Sequence, residues 1–472
     1  MKGKLAVGLV VLCALAVTGF YDLGHFDHND FQYGVTPVLM EHGRLYQDFS
    51  FDQTPLAAWL GFVLLKLVGA RRLYIAQRVV SLLCVWQAAW IGVCICRKRA
   101  RRKDLVTLLF VAAFVSLGPL VVIGGEIGNY SLGLVLLAAA LWVFLERREW
   151  ALAVGLLAGL AVSAKLSNVY FVAAFGALYL MGARRWRTLA LFGVGALIGV
   201  GPILYYLLRA TRVFWFENLT YHYLINIYRG VPFHIPLWPL AAIGVLVLIA
   251  APFLWAEAWG IVALLVAAMV GLVTPAILFP QYWAPPDFLL VVLGCLVFAR
   301  RLEAHSRVAA MIVGVALLVA GWRSVQMIDE ARGQLRAGNY GVIAVRDLRE
   351  RLAAVMGPID ARYPGCHGDL ISAFATPAVG SGVGIARISS EGPFMMRLDP
   401  VLAQKAAWFR GYSDVSRALT PASLVMVGYD PGIGFETVMR NYAAGHGFRT
   451  VGVGEIMGKD VVLEVPGGCV GG

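Results

Sequence analysis

The sequence predicts a mainly α, polytopic membrane protein of about eleven transmembrane helices, followed by a small α/β domain outside the membrane. Three observations carry this prediction. Of the 472 residues, 60% are apolar and only 14% charged, with a mean hydropathy of +0.74; soluble domains carry about 25% charged residues. Apolar runs such as DLVTLLFVAAFVSLGPLVVIG and RVAAMIVGVALLVAGW reach or approach the roughly 20 residues that cross a hydrocarbon core. Basic residues gather in short runs between apolar segments: RKRARRK at 97–103, ERRE at 146–149, ARRWR at 183–187 and ARR at 299–301. That is the pattern of cytoplasmic loops under the positive-inside bias. The net charge of +12 therefore speaks for orientation. Nucleic acid is not an expected partner, because no polar domain carries a basic stripe with interleaved aromatics.

The first span, 5–20, runs outward from the basic MKGK. It has the basic start and apolar run of a signal peptide but no small-residue cleavage site after it, so it is expected to be retained. Residues 55–69 are apolar but too short for an easy crossing. Counting them as a span would place RKRARRK outside, so they are expected to lie on or dip into the outer face. Span 73–96 then runs inward. Further spans are expected near 104–124, 130–146, 150–164, 167–182, 188–208, 235–254, 258–279, 283–299 and 307–322. This parity puts the N-terminus in the cytoplasm and everything after 322 outside, which in a bacterial inner membrane is the periplasm. Residues 1–322 are read as the transmembrane unit and 323–472 as the α/β domain.

From 323 onward charge, glycine and proline rise. Short β-rich runs (DLISAFAT, SLVMVGY, DVVLEV) alternate with helical stretches (IAVRDLRERLAAVM, ETVMRNYAAGHGF), the mark of a small α/β unit. The glycines of VGSGVGIA follow no strand–turn–helix pattern and are read as turns. Five cysteines (Cys13, Cys84, Cys94, Cys96, Cys295) lie in apolar segments and read as small packing residues. Cys366 and Cys469 stand in the C-terminal region, where an oxidising compartment would permit a disulfide.

The chemistry is expected in the first outer loop, 21–72. It holds Asp22, Asp27, Asp30, Glu41, Asp48 and Asp52 with His25, His28 and His42, so five aspartates fall within 31 residues of a chain with 28 acidic residues. A solvated loop can carry charge freely, but this one also carries many aromatics and two apolar helices that should press it onto the membrane face. Acidic groups held in such a place are functional candidates.

The loop resembles that of the GT-C superfamily of membrane glycosyltransferases, especially bacterial relatives of protein mannosyltransferases and the lipid A aminoarabinose transferase. The resemblance rests on DHND at 27–30, LMEHGRLYQDF at 39–49, Thr54-Pro55-Leu56, QRVVSLL with Arg78 and Ser81, GLLAGLAVSAKLSNVYFV at 155–172, and QYWAPPDFLL near the tenth span. It runs in order over roughly residues 1–300. It implies an inverting transfer of a hexose or pentose from a polyprenyl-phosphate donor to an acceptor hydroxyl at the outer face. One first-loop carboxylate would serve as general base. Asp30 has the best spacing for that role, with Asp27 next and Asp22, nearer the membrane, as rival. The sequence departs from many relatives in having Asn29-Asp30 at the acidic motif and Gln281 before Tyr282.

Further contacts follow from the same comparison and from placement. Glu126 of GEIGNY is assigned to orienting the acceptor or the base, and Asp48 to substrate binding. Lys165 is the expected contact for the leaving phosphate, because a cation at an outer turn between apolar helices is costly without a partner. Snorkelling to lipid headgroups is its structural alternative. Arg78, Arg212 and Arg229 are weaker options on that face, and Tyr221, His222 and Tyr282 are expected to line the sugar pocket. The expected partners are the lipid-linked sugar, membrane lipids and a lipid, glycan or protein acceptor. The Asp/His-rich loop has donor types for a divalent metal, yet no spacing demands one, and no residue is assigned as a metal ligand. Competing readings are a transporter or flippase, which should show paired halves with broken helices, and a polymerase or ligase of lipid-linked glycans.

Overall fold

The computed structural model describes residues 2–25, 29–181, 185–228, 256–273, 280–303, 305–362, 368–372, 375–389, 423–427, 435–456 and 459–469. The chain is an integral membrane protein by its helices. Among the described residues, five are long and apolar enough to cross a bilayer: α1 (Lys2–Gly24), then α4 (Ala70–Arg99) and α7 (Asn129–Glu146) beyond the first loop, and the helical stretches Gln281–Leu302 and Ser306–Ile359. Within the first loop lie α2 (Asn29–Leu39) and α3 (Leu56–Val68). At 13 residues, α3 has the short length that sets it apart from a full crossing.

Two of the eleven expected spans are bent pairs. Helices α5 (Lys103–Ser116) and α6 (Gly118–Gly125) meet at 71°, and α10 (Arg185–Gly199) and α11 (Gly201–Arg209) meet at 55°. Each break falls at a Gly-Pro pair, Gly118-Pro119 and Gly201-Pro202. Proline removes a backbone donor and its ring collides with the carbonyl four residues back, so the helix restarts on a new axis. Three further apolar helices are short: α8 (Ala151–Ala164), Leu166–Leu180 and Ala258–Leu272. The expected span 235–254 lies outside the described residues.

Helices α8 and α10 touch backbone to backbone. A β-carbon on Gly155 would stand 2.0 Å from the Phe192 carbonyl oxygen, and one on Gly199 would stand 2.4 Å from that of Leu156. The spacings Gly155–Gly159 and Gly195–Gly199 are small-residue seams of the kind that let membrane helices approach closely. Ser163 closes this seam with a hydrogen bond to the Gly199 carbonyl at 2.8 Å. The end of α8 is thereby held, which matters for the residue that follows it.

Helix Ser306–Arg336 packs on α5 and α1 and passes through position 322 without a break. The change of composition at 323 therefore lies inside a helix. Loss of apolar character marks where lipid contact stops, whereas Met, Gln, Arg and Ala continue to favour helix. Beyond it, Gly341–Arg362 and Phe435–Gly445 pack on a small mixed sheet in the order β1-β2-β4-β3 (Leu370–Ile371, Leu424–Val427, Lys459–Pro466, Phe448–Ile456). The pair β1/β2 is parallel, and β2/β4 and β3/β4 are antiparallel. The VGSGVGIA glycines form turns, with Gly380 and Gly382 at φ +77° and +92°. Cys366 lies outside the described residues.

Candidate active site

The first loop has its own core. Tyr33, Leu45, Tyr46, Phe49 and Phe51 are buried together with Tyr206 of α11 and Phe214 of the short helix Thr211–Trp215 that follows it. Tyr46 takes a left-handed backbone (φ +62°) although it is not glycine, a conformation kept only where the surroundings impose it. Its ring packs edge-on to Tyr206 and Phe214 at 4.9 and 5.0 Å, and its hydroxyl donates to the Gln53 carbonyl.

That hydrogen bond belongs to a clamp around Asp52. The Phe51 N–H donates to Glu217 Oε2 at 3.2 Å, and His222 Nε2 donates to the Asp52 carbonyl at 2.9 Å. Three successive backbone groups are thus held by side chains. The Gln53 amide bridges onward: its nitrogen donates to Asp52 Oδ1 at 3.2 Å, and its oxygen accepts from Asn129 at 2.8 Å. Glu217 sits in a one-turn π-helix, Phe216–Thr220, and is fully buried. Burial raises its pKa well above the usual carboxylate range, and the neighbouring charge of Asp52 adds to the effect.

Lys165 faces the same place. Its residue is extended at the end of α8 and precedes a 3₁₀ turn, Leu166–Asn168. Asn168 donates to the Ala161 carbonyl at 2.8 Å, which also accepts from the Lys165 N–H at 2.9 Å, so the turn is tied back onto the helix end at one carbonyl. The ammonium lies 4.0 Å from the centroid of Tyr130 and 4.9 Å from that of Tyr282, and the two rings are 5.6 Å apart. Lys165 makes no ion pair with a described residue. Enclosure lowers its pKa to about 8, while Asp52 and Glu126 are near enough to pull it back up. A cation held by two aromatic faces, without an ion-paired partner among the described residues, is an arrangement that can receive an anion.

Asp30 is placed differently from the expected base. Its Oδ2 accepts from Arg78 Nη2 at 2.9 Å with both side chains fully buried, and its Oδ1 accepts from the Ile127 N–H at 3.2 Å. Arg78 also donates to Tyr74 and to the backbone carbonyls of Asp22 and His25. A carboxylate so engaged is tightly held, and through Ile127 it fixes the segment that presents Glu126. Asp22 is buried nearby, its Oδ1 without a hydrogen-bond partner among the described residues. Its Oδ2 stands against Gly124, where a β-carbon would come within 2.4 Å. Replacing Arg78 with Met is expected to destabilise the protein by about 3–5 kcal/mol, the cost of stranding one partner of a buried pair. A loss of melting temperature in detergent checks this; an unchanged melting curve would mean that Asp30 is not ionised in the fold.

The structure therefore brings Lys165, Glu126, Tyr282 and His222 together and sets Asp30, Arg78 and Asp22 in a buried cluster beside them. Tyr221 is buried against His222, with centroids 5.5 Å apart. Asp48 is not part of either group: it pairs with exposed Arg44 at 3.1 Å, and that contact holds its carboxyl below the usual range. Arg212 is exposed. Asp27 and Arg229 lie outside the described residues. Sequence reasoning counted Asp52 among the loop aspartates without giving it a role, and it passed over Glu217, Tyr130 and Gln53. Only Asp52 and Gln53 carried a signal, standing directly before Thr54-Pro55-Leu56. Among the described residues, no three of His, Cys, Asp or Glu group as metal ligands would.

No protein-family model and no curated protein matches the chain. Among solved structures it is similar to ArnT from Cupriavidus metallidurans, in the apo state (14% identity, TM-score 0.60, all of both chains covered). It is equally similar to the same protein bound to undecaprenyl phosphate (15% identity, TM-score 0.60, 99% of each chain). At this identity the likeness is one of fold: the chain shares the architecture of ArnT over its whole length.

Proposed function

We propose that the chain transfers a sugar from a polyprenyl-phosphate donor to an acceptor hydroxyl, with Lys165 receiving the donor phosphate and Asp52 acting as general base. The observation that carries this reading is the Lys165 cage: a part-buried ammonium between Tyr130 and Tyr282, without an ion-paired partner among the described residues, close enough to Asp52 and Glu126 to feel their charge. The shared fold supports it, since ArnT has been crystallised with undecaprenyl phosphate. The first loop and its neighbours hold the site at the end of the bundle that the charge pattern assigns to the outer face.

The step is a single displacement. The acceptor oxygen forms a bond to the anomeric carbon while the bond from that carbon to the phosphate oxygen breaks, so configuration inverts. The acceptor proton passes to Asp52, and the electron pair of the broken bond stays on the phosphate, where Lys165 balances the growing charge. The backbone clamp on residues 51–53 aims Asp52, and Glu126 completes the acidic side. Asp30 serves as a brace for that geometry; its oxygens are committed to Arg78 and Ile127.

The test requires no knowledge of the sugar. A long-chain polyprenyl phosphate added to the purified protein should raise its melting temperature, by an amount equivalent to about 2.7 kcal/mol at a hundredfold excess over Kd. Lys165→Ala should abolish the shift. A wild-type protein stabilised equally by the polyprenyl phosphate and by a polyprenol lacking phosphate would end this reading in favour of general lipid binding.

A further inference from the structure

Four side chains from the segment 340–387 reach down and donate to backbone carbonyls of the membrane unit. Tyr340 donates to Phe20 at 2.6 Å, Arg349 to Arg71 at 2.6 Å, Thr376 to Asp30 at 2.7 Å, and Arg387 to His42 at 2.7 Å. Three of the four acceptors, Phe20, Asp30 and His42, lie before, within and after helix α2, and the Thr376 bond is buried. The seam is also sterically tight. A β-carbon on Gly34 would stand 2.7 Å from Thr376 Oγ1, and one on Gly380 would stand 2.8 Å from the Arg71 backbone. Hydrogen bonds and close approach therefore agree, and each can be altered separately.

From this juxtaposition we infer that the C-terminal segment is a positioning brace for the reaction, with Thr376 as its key contact. Asp30 has two ends. Its carbonyl is held by Thr376 from above, and its carboxylate holds Arg78 and the Ile127 N–H below. Ile127 adjoins Glu126 and lies two residues from Asn129, which fixes Gln53 beside Asp52. A shift of α2 along its axis passes through these hydrogen bonds to both carboxylates that face Lys165. Because the donors address backbone carbonyls, the brace reads the path of the loop rather than its side chains. Thr376 touches no reacting atom; it acts through Asp30.

The experiment separates the brace from the transferase reading on which its kinetic effect rests. Thr376→Val keeps shape and removes the donor, Thr376→Ser keeps the donor, and Gly34→Ala wedges the seam without removing a donor. Amide exchange is measured across residues 29–39 and at Ile127 in the full-length protein, alongside turnover. Thr376→Val and Gly34→Ala are expected to speed exchange there about tenfold, the size of one lost hydrogen bond, with Thr376→Ser near wild type. Turnover should fall by up to about 100-fold through kcat, as a small misplacement does, while KM for the donor holds. Unchanged exchange in both Thr376→Val and Gly34→Ala would overturn the brace. Faster exchange with turnover intact would uphold the brace and count instead against Glu126 and Asp52 as reacting groups.

Discussion

Lys165→Ala is expected to lower turnover by about 10²–10³-fold, the usual cost of removing one group that stabilises developing negative charge. Two features of the site make the expected loss this large. The ammonium is part-buried and held between aromatic faces, so its field is only partly screened by water, and among the described residues no other cation touches the same rings. The pH dependence follows from its pKa of about 8. Burial has lowered that value, so the charge is present below pH 8 and is lost as pH rises through it. The alkaline limb of kcat/KM, which reports the free enzyme, should therefore fall near that pH. In Lys165→Arg the limb should move out of range, because guanidinium does not deprotonate. An alkaline limb that stays in place in Lys165→Arg would assign it to another group and remove Lys165 from the phosphate.

The second large effect concerns the carboxylates. Asp52→Asn is expected to reduce kcat by about 10²–10⁴-fold, the range for loss of a general base, with donor binding and melting temperature little changed. The amide keeps the hydrogen bond from Gln53 but cannot take a proton. Asp30→Asn should behave differently: a lower melting temperature, as for Arg78→Met, and a fall in kcat per folded molecule of no more than the about 100-fold expected from a loosened brace. Residual kcat per folded molecule separates the two. If Asp30→Asn is well folded and inactive while Asp52→Asn turns over normally, the base is Asp30 and the ion pair with Arg78 opens during the reaction.

The difference between Asp30 and Asp52 shows where sequence reading stops. The acidic motif, the LYQDF run and the Pro-Leu step identify the loop, because local spacing survives in the chain. What each aspartate touches does not. The partner of Asp30 is Arg78, 48 residues on, and the groups that aim Asp52 are Glu217 and His222. Nothing local in FENLTYHY announces that it folds back on residues 51 and 52. Lys165 was legible for a different reason: a cation between two apolar helices is an anomaly visible in composition. The β-rich runs DLISAFAT, SLVMVGY and DVVLEV did become β1, β2 and β4, whereas β3 (FRTVGVGEI) escaped notice because its glycines dilute the pattern. The bends at Gly118-Pro119 and Gly201-Pro202 were equally present in the sequence, hidden by apolar runs that continue across them.

The unbroken helix Ser306–Arg336 has a consequence for how such a chain can vary. Its 31 residues extend about 46 Å at 1.5 Å per residue, from the bundle to the segment that carries Tyr340 and Thr376. One added residue would turn everything beyond it by about 100° and lift it by about 1.5 Å, so the four donors would miss their carbonyls together. Substitutions along the helix change only what it touches, whereas a change of length changes its phase. The helix works as an angular ruler, and between Ser306 and Arg336 the count of residues is constrained more tightly than their identity.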